Sequence, residues 1–205
     1  MSALFIRNES FQSFLKHYPV TSAILAIDIF VYLFFLIVGK IAPLFTYYAF
    51  QYMVGTNALI LQGNWWQLGT PVFLHVTFSH ILFNAFSLLI LAPALEAMLG
   101  KGKFIAAFLG TGIISNVAAL FLEPPSFSHY GASAAVFGLM GIYLYLAVFR
   151  QYLITQQDRT IIIVILIISM IGSFFYPNVD ILGHFTGFLA GFALAPLLFV
   201  RSGLR

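Results

Sequence analysis

The sequence predicts an all-α, polytopic membrane protein, a bundle of six transmembrane helices. Of its 205 residues, 61% are hydrophobic and only 7% are charged, which is far outside the range of soluble globular proteins. Six apolar segments are long enough, or nearly so, to cross a hydrocarbon core of about 30 Å. Because no stretch has the composition of a soluble domain, we expect a single membrane domain over residues 1–205.

The predicted spans, in chain order, are 20–38, 74–99, 103–122, 133–149, 160–176 and 181–200. The segment 39–73 between the first two is rich in Tyr, Phe and Trp, and glycines interrupt it at Gly55, Gly63 and Gly69. Aromatic residues prefer the headgroup level of a bilayer. We therefore predict an outer loop partly embedded in the interface. A disordered loop is the alternative, but the apolar content argues against it.

Cysteine and targeting signals are informative by their absence from the sequence. The chain has no cysteine, which excludes disulfides, thiolate catalysis and cysteine-ligated metals. The first apolar run begins near Pro19 and is too long for the apolar region of a signal peptide. No cleavable signal peptide is expected.

Basic residues predict the orientation. Eight of them fall on one side of a six-span bundle: Arg7, Lys16, Lys101, Lys103, Arg150, Arg159, Arg201 and Arg205. Only Lys40 falls on the other side. The positive-inside rule then predicts a multi-pass protein of the cell membrane with both termini cytoplasmic. Loops 39–73, 123–132 and 177–180 face outward.

Polar residues inside predicted spans are candidates for function, since they are costly there. The notable ones are Asp28, His75, His80, Asn84, Glu96, Asn116, Ser133 and His184. A rise of about 1.5 Å per residue from the cytoplasmic helix ends puts Asn84 ~24 Å up, Ser133 and His184 ~26 Å up and His80 ~30 Å up. Three helices thus bring a serine, a histidine and a His/Asn pair into one layer, just below the outer surface.

Ser133 follows Gly131 at the predicted start of a helix. Backbone N–H groups at such a position are unpaired and can stabilise an oxyanion. The structural alternative is that Ser133 is an N-cap. Its match in depth with His184 favours a nucleophile paired with a general base.

His80 and Asn84 are four residues apart and share one helix face. Both can donate hydrogen bonds to an oxyanion, although a helix–helix hydrogen bond explains them equally well. The histidines at 75, 80, 129 and 184 also raise the question of a metal. The spacing of His75 and His80 puts their rings ~140° apart around a helix, and no Glu lies at that height. We therefore expect no metal site.

The last span carries a bare face of glycines every fourth residue, at Gly183, Gly187 and Gly191. Such faces let helix backbones approach closely. We predict that the neighbour is the helix that begins at Ser133, which has small residues of its own.

Two acidic residues have structural interpretations. Asp180 precedes His184 by four residues and can orient it as the acid of a triad does, but an N-cap of the last helix is favoured. We therefore predict a Ser-His dyad. Glu96 is interpreted as a structural hydrogen-bond acceptor, and the sequence offers no account of Asp28.

Three separated motifs resemble the rhomboid family of intramembrane serine proteases. They are Phe73-Leu74-His75 followed by His80-Ile81-Leu82-Phe83-Asn84, then Gly131-Ala132-Ser133, then Gly183-His184-Phe185-Thr186-Gly187-Phe188-Leu189-Ala190-Gly191. The resemblance covers about residues 66–191. It implies a Ser133 nucleophile, a His184 base and an oxyanion hole from His80, Asn84 and the Ser133 N–H. It also implies six helices, transmembrane protein substrates within the lipid bilayer, no cofactor or metal, and no nucleic-acid partner.

The chain departs from the family pattern at three positions. Ala134 stands where a glycine usually follows the serine. Gln67 follows Trp66 at the position where the family pattern has an arginine. The change removes a charge that would anchor the first outer loop. Phe137 is the aromatic one turn after the serine and keeps a face on which the histidine can stack.

The sequence therefore predicts an intramembrane serine endopeptidase that cleaves transmembrane segments near the outer membrane face. One alternative is a proteolytically inactive relative that binds membrane helices. A small transporter using intramembrane His and Asp groups is another, but it predicts inverted repeats with broken helices, which the sequence does not show.

Overall fold

The computed structural model describes residues 4–5, 7–175 and 179–200. In these ranges the chain forms nine α-helices: α1 (Phe11–His17), α2 (Pro19–Ile41), α3 (Pro43–Met53), α4 (Asn57–Leu61), α5 (Phe78–Leu99), α6 (Lys101–Leu122), α7 (Ser133–Phe149), α8 (Gln156–Phe175) and α9 (Ile181–Leu198). Two short strands, β1 (Gly55–Thr56) and β2 (Ser128–His129), pair in antiparallel fashion. Short 3-10 helices lie at Trp65–Leu68, Thr70–Phe73 and Gln151–Leu153.

Five of these helices, α2, α5, α6, α8 and α9, are long and apolar enough to cross a membrane. Helix α7 is a shorter apolar helix of 17 residues, with a length of about 26 Å. Together the six correspond to the predicted segments, and the all-α, polytopic membrane fold is confirmed. The predicted basic residues Arg201 and Arg205, and positions 176–178 at the end of the fifth predicted span, lie outside the described residues.

Two of the predicted helix starts are wrong. Helix α5 begins at Phe78 rather than 74, because the Thr77 hydroxyl caps it by accepting from the His80 N–H at 3.2 Å. Helix α8 begins at Gln156 rather than 160. Thr155 and Asp158 exchange hydrogen bonds there in the manner of a capping box. Arg159, predicted to lie between spans, is therefore in the first turn of α8.

Helix α7 lies at the centre of the bundle, with 12 of its 17 residues buried. Its backbone meets that of α9 through glycines on both helices. A Cβ added at Gly187 or Gly191 would collide with the backbone of Ala134 or Gly138, and one added at Gly141 would collide with the backbone of α9. The predicted pairing of the α9 glycine face with the Ser133 helix is confirmed.

The interpretation of segment 39–73 as an outer loop is wrong in its structure. Much of it is helical, in α3, α4 and two 3-10 helices, and β1 pairs with β2 next to the start of α7. Gln67 is buried and bonds three backbone groups: its amide donates to Gln51 and Tyr52 carbonyls, and its oxygen accepts from Thr56 N–H. A neutral amide thus anchors the segment in place of the family's arginine.

Two of the buried carboxylates, Glu96 and Asp28, differ in their partners. Glu96 accepts from the N–H groups of Val20 and Thr21 and from the Thr21 hydroxyl, at 2.7–2.9 Å. It thereby satisfies the N-terminus of α2, and its interpretation as a structural acceptor is confirmed. Asp28 is 1% exposed, and neither of its oxygens has a partner among the described residues.

Candidate active site

Ser133 is the first residue of α7, and the turn before it is held by two contacts. Gly131 has φ = 111°, a left-handed conformation that favours glycine. Its N–H donates to the Pro71 carbonyl at 2.8 Å. The Ala132 N–H points at Nε2 of His75 at 3.4 Å. The second 3-10 helix and the loop after it thus fix where α7 begins, and with it the position of Ser133.

The N-terminus of α7 has free hydrogen-bonding capacity. Ala132 occupies the N-cap position and offers no side-chain acceptor. The first N–H groups of a helix have no partner within it, so those of α7 face the end at which Ser133 stands. Such a cluster of N–H groups suits a negatively charged oxygen.

His184 lies in the first turn of α9 and is 9% exposed. One face of its ring stacks on Phe137 of α7, with centroids 4.1 Å apart and planes 15° from parallel. Its Nδ1 lies 2.8 Å from the hydroxyl of Ser173 on α8. The ring is therefore held by two helices, and the predicted stacking on Phe137 is confirmed.

The register of α7 and α9 relates Ser133 to His184. Gly187 packs against Ala134 and Gly191 against Gly138, so the first turn of α7 lies beside the second turn of α9. Phe137, on which the His184 ring stacks, is one turn after Ser133. Within the described residues no hydrogen bond joins the Ser133 hydroxyl to His184. Catalytic hydrogen bonds often tighten only when substrate binds.

His80 reaches the Ser133 turn, whereas Asn84 is bonded within its own helix. A Cβ at Gly131 would collide with the His80 ring, and that ring also lies 5.9 Å from the ring of Tyr130, centroid to centroid. The Asn84 amide donates to the His80 carbonyl at 2.9 Å. Asn84 is 6% exposed, and its NH₂ group has a second hydrogen to donate.

Asp180 is the N-cap of α9, as predicted. Its carboxylate accepts from the Gly183 N–H at 2.7 Å. Burial raises the pKa of this carboxyl above its ordinary value, against the opposing effect of the Gly183 hydrogen bond. The Nδ1 of His184, to which the acid of a triad would bond, is instead next to Ser173.

The predicted ~140° divergence of the His75 and His80 rings is wrong, because His75 precedes α5 and is not on a helix. The rings of His75 and His80 do not diverge; their centroids are 4.9 Å apart. Burial and the neighbouring His80 lower the pKa of His75 to about 4, so its neutral Nε2 can accept the Ala132 N–H. Among the described residues, no group of three or more His, Cys, Asp or Glu side chains is placed to hold a metal ion.

Sequence reasoning missed Ser173 and the role of His75. Ser173 is a polar residue near the outer end of the fifth span, and a polar group in an apolar segment is a sequence signal of function. The predicted span 74–99 includes His75, whereas the Thr77 cap begins α5 at Phe78 and leaves His75 before the helix.

A cavity of about 550 Å³ opens beside His184, between α8, α9 and the chain that follows α6. Its polar lining comes from Glu123, Ser173, Asp180 and His184, and the rest is mostly apolar. A volume of this size accommodates a small-molecule or side-chain ligand. His184 is among the residues that line this cavity.

The fold and site define a class: a multi-pass helical membrane protein with a serine at one helix N-terminus and a histidine held on the neighbouring helix. A Rhomboid domain model matches residues 62–201. The protein named "Putative rhomboid protease YdcA" of Bacillus subtilis (strain 168) is 40% identical over 202 residues, 98% of this chain and 100% of that protein. This chain belongs to the rhomboid family.

Two further relatives match over smaller shares of their own length. "Rhomboid protease GluP" of Bacillus subtilis (strain 168) is 38% identical over 142 residues, which are 69% of this chain and 28% of that protein. "Rhomboid-like protease 1" of Toxoplasma gondii is 29% identical over 190 residues, 88% of this chain and 65% of that protein. The similarity extends over the bundle that carries Ser133 and His184.

Proposed function

We propose that this protein is an intramembrane serine endopeptidase that acts through a Ser133–His184 dyad. The observation that carries the proposal is the joint placement of these residues on two helices in backbone contact, with the His184 ring stacked on Phe137, one turn after Ser133 in the sequence of α7. Membership of the rhomboid family, with relatives named as proteases, supports the same reaction.

In this mechanism the Ser133 hydroxyl attacks a substrate carbonyl and His184 takes its proton. His184 then gives the proton to the leaving amine, and a water completes hydrolysis of the acyl-enzyme. The first N–H groups of α7, with His80 and Asn84, hold the oxyanion. The cavity beside His184 supplies a route for the water.

The proposed substrates are membrane proteins with a single or several transmembrane helices. A helical segment hides its peptide bonds in hydrogen bonds, so cleavage favours helix-breaking residues near the outer end of a span. The distribution of basic residues supports a protein of the cell membrane with cytoplasmic termini and an outward-facing site. A reporter fused after Arg205 that reads as extracytoplasmic would contradict this orientation.

The experiment is cleavage of a model single-span substrate by purified protein in detergent or proteoliposomes. Ser133→Ala and His184→Ala should each reduce turnover to background, and the double variant should be no worse, because a dyad that has lost one partner has little left to lose. Asn84→Ala and His80→Ala should each cost roughly 10²–10³ in rate or less, since other oxyanion donors remain.

Two reagents separate the serine mechanism from its alternatives. Turnover should persist in a strong chelator and stop after reaction with a fluorophosphonate, which should label the parent protein and spare Ser133→Ala. A folded protein that binds the substrate yet cleaves none would instead support the inactive, helix-binding relative.

A further inference from the structure

Ser173 has two hydrogen-bonding neighbours and one hydrogen to share between them. Its hydroxyl oxygen lies 2.9 Å from the carbonyl of Ser169, one turn earlier on α8, and 2.8 Å from Nδ1 of His184 on α9. Ser173 is 7% exposed, so these neighbours, rather than bulk water, decide the orientation of the hydroxyl.

Only one arrangement makes both contacts favourable. A carbonyl oxygen can only accept, so the serine hydrogen must point at Ser169, and the ring must then donate its own Nδ1–H to the serine oxygen. If the hydroxyl donated to Nδ1 instead, two oxygen lone pairs would face each other at 2.9 Å. The geometry therefore favours the neutral His184 tautomer with its proton on Nδ1.

This tautomer is the one a general base requires here. With the proton on Nδ1, the lone pair is on Nε2, and Nε2 has no hydrogen-bond partner among the described residues. A base in a Ser-His pair accepts the serine proton at one ring nitrogen while a hydrogen bond at the other fixes its tautomer and orientation. Asp180 does not make that second bond, since its carboxylate caps α9.

We propose that Ser173 is the positioning residue of the dyad: its hydroxyl holds the proton of His184 on Nδ1 and leaves Nε2 free to accept the proton of Ser133. The proposal rests on the proposed function for its effect on turnover, but its effect on the histidine ring can be measured independently. Once His184 has accepted the serine proton, the same hydroxyl continues to accept from Nδ1–H, so no rearrangement is needed during the reaction.

The test compares Ser173→Thr with Ser173→Val, two side chains of the same shape that differ by a hydroxyl in place of a methyl. Position 173 lines the cavity, which leaves room for the additional group. Threonine can reproduce the bond to the carbonyl one turn earlier and should keep kcat within about 2-fold, whereas valine should lower kcat roughly 5–20-fold with little change in KM, the size expected for loss of one buried hydrogen bond. Ser169→Ala is the matched control, because it removes the neighbouring hydroxyl of α8 and leaves the carbonyl in place.

The second readout is the nitrogen NMR spectrum of the His184 ring in protein labelled with ¹⁵N-histidine, assigned with His184→Ala. The parent protein and Ser173→Thr should show a protonated Nδ1 and a bare Nε2, and Ser173→Val should show the proton redistributed between the two nitrogens. An unchanged ring spectrum in Ser173→Val would overturn the proposal, as would equal loss of turnover in the threonine and valine variants. If the parent protein cleaves no substrate and takes up no fluorophosphonate, the proposed function fails, while the ring spectra still decide the role of Ser173.

Discussion

Helices α7 and α8 both contact His184, but they are packed very differently. Helix α7 buries 12 of its 17 residues and meets α9 backbone to backbone. Helix α8 buries three of its 20 residues, Asp158, Ile162 and Ser173, and its exposed positions are mainly large aliphatic and aromatic side chains that suit contact with lipid.

The two helices make different kinds of contact with His184, and each contact fixes a different property of its side chain. The α7 contact is made of glycines and one stacked ring, and it fixes the depth and plane of His184 through dispersion and close packing. The α8 contact at His184 is a single hydrogen bond, which specifies the proton position in the ring rather than the ring's location. Substitutions at the glycine contact between α7 and α9 should therefore affect folding, and substitution of Ser173 on α8 should affect chemistry.

The largest expected effect comes from the same substitution made at two glycines. Gly191→Ala places a methyl group against the Gly138 backbone and should destabilise the protein by about 1–3 kcal/mol through overpacking, with a parallel loss of turnover. Gly172→Ala on α8 meets nothing within 4 Å and should stabilise the protein by up to about 1 kcal/mol through helix propensity. Thermal unfolding in detergent measures both, and equal effects at the two sites would remove the distinction between the contacts.

A middle-sized effect is expected at Phe137, where the α7 contact meets the histidine ring. Phe137→Leu keeps the apolar volume but removes the flat face 4.1 Å from His184, so turnover should fall about 3–10-fold from the loss of an aromatic pair. Phe137→Tyr should retain turnover, because the face is preserved. The control is Phe175→Leu on α8, where the side chain is 81% exposed. If Phe137→Leu turns over substrate at the parent rate, stacking does not position the ring.

The smallest effect is expected for Asp180→Asn at the start of α9. Asparagine keeps an acceptor for the Gly183 N–H and is as good an N-cap as aspartate, so turnover should change less than 2-fold. Burial raises the pKa of Asp180 in the folded state. As the pH rises, the carboxyl therefore loses its proton in the unfolded protein before it does so in the folded protein. The contribution of Asp180 to stability decreases as the pH rises above the ordinary pKa of an aspartate.

Unfolding measured across pH 4–8 should show that decrease in the parent protein, and Asp180→Asn should lack this group's share of it. Loss of turnover in Asp180→Asn as severe as in His184→Ala, with the fold intact, would replace the dyad by a triad.

Features within one segment were readable from the sequence. The spans followed from hydropathy, because in lipid each backbone polar group must be satisfied inside its own helix. The Asp180 cap and the glycine face of α9 followed from local spacing, and Ser133 was identified by the glycine before it and the helix after it. The start of α5 was readable in principle from Thr77, since a threonine cap is a local signal.

Features that join distant segments were decided by the tertiary structure alone. Gln67 anchors the segment before it by hydrogen bonds to backbone groups, which hydropathy cannot predict. Strand β1 pairs with β2, and Thr56 lies opposite Ser128, 72 residues later in the chain. Ser173 meets His184 only because α8 and α9 have a particular rotation and relative depth. Apolar composition fixes that a helix spans the membrane, but lipid is indifferent to its rotation. The packing of neighbouring side chains therefore selects which polar group faces which.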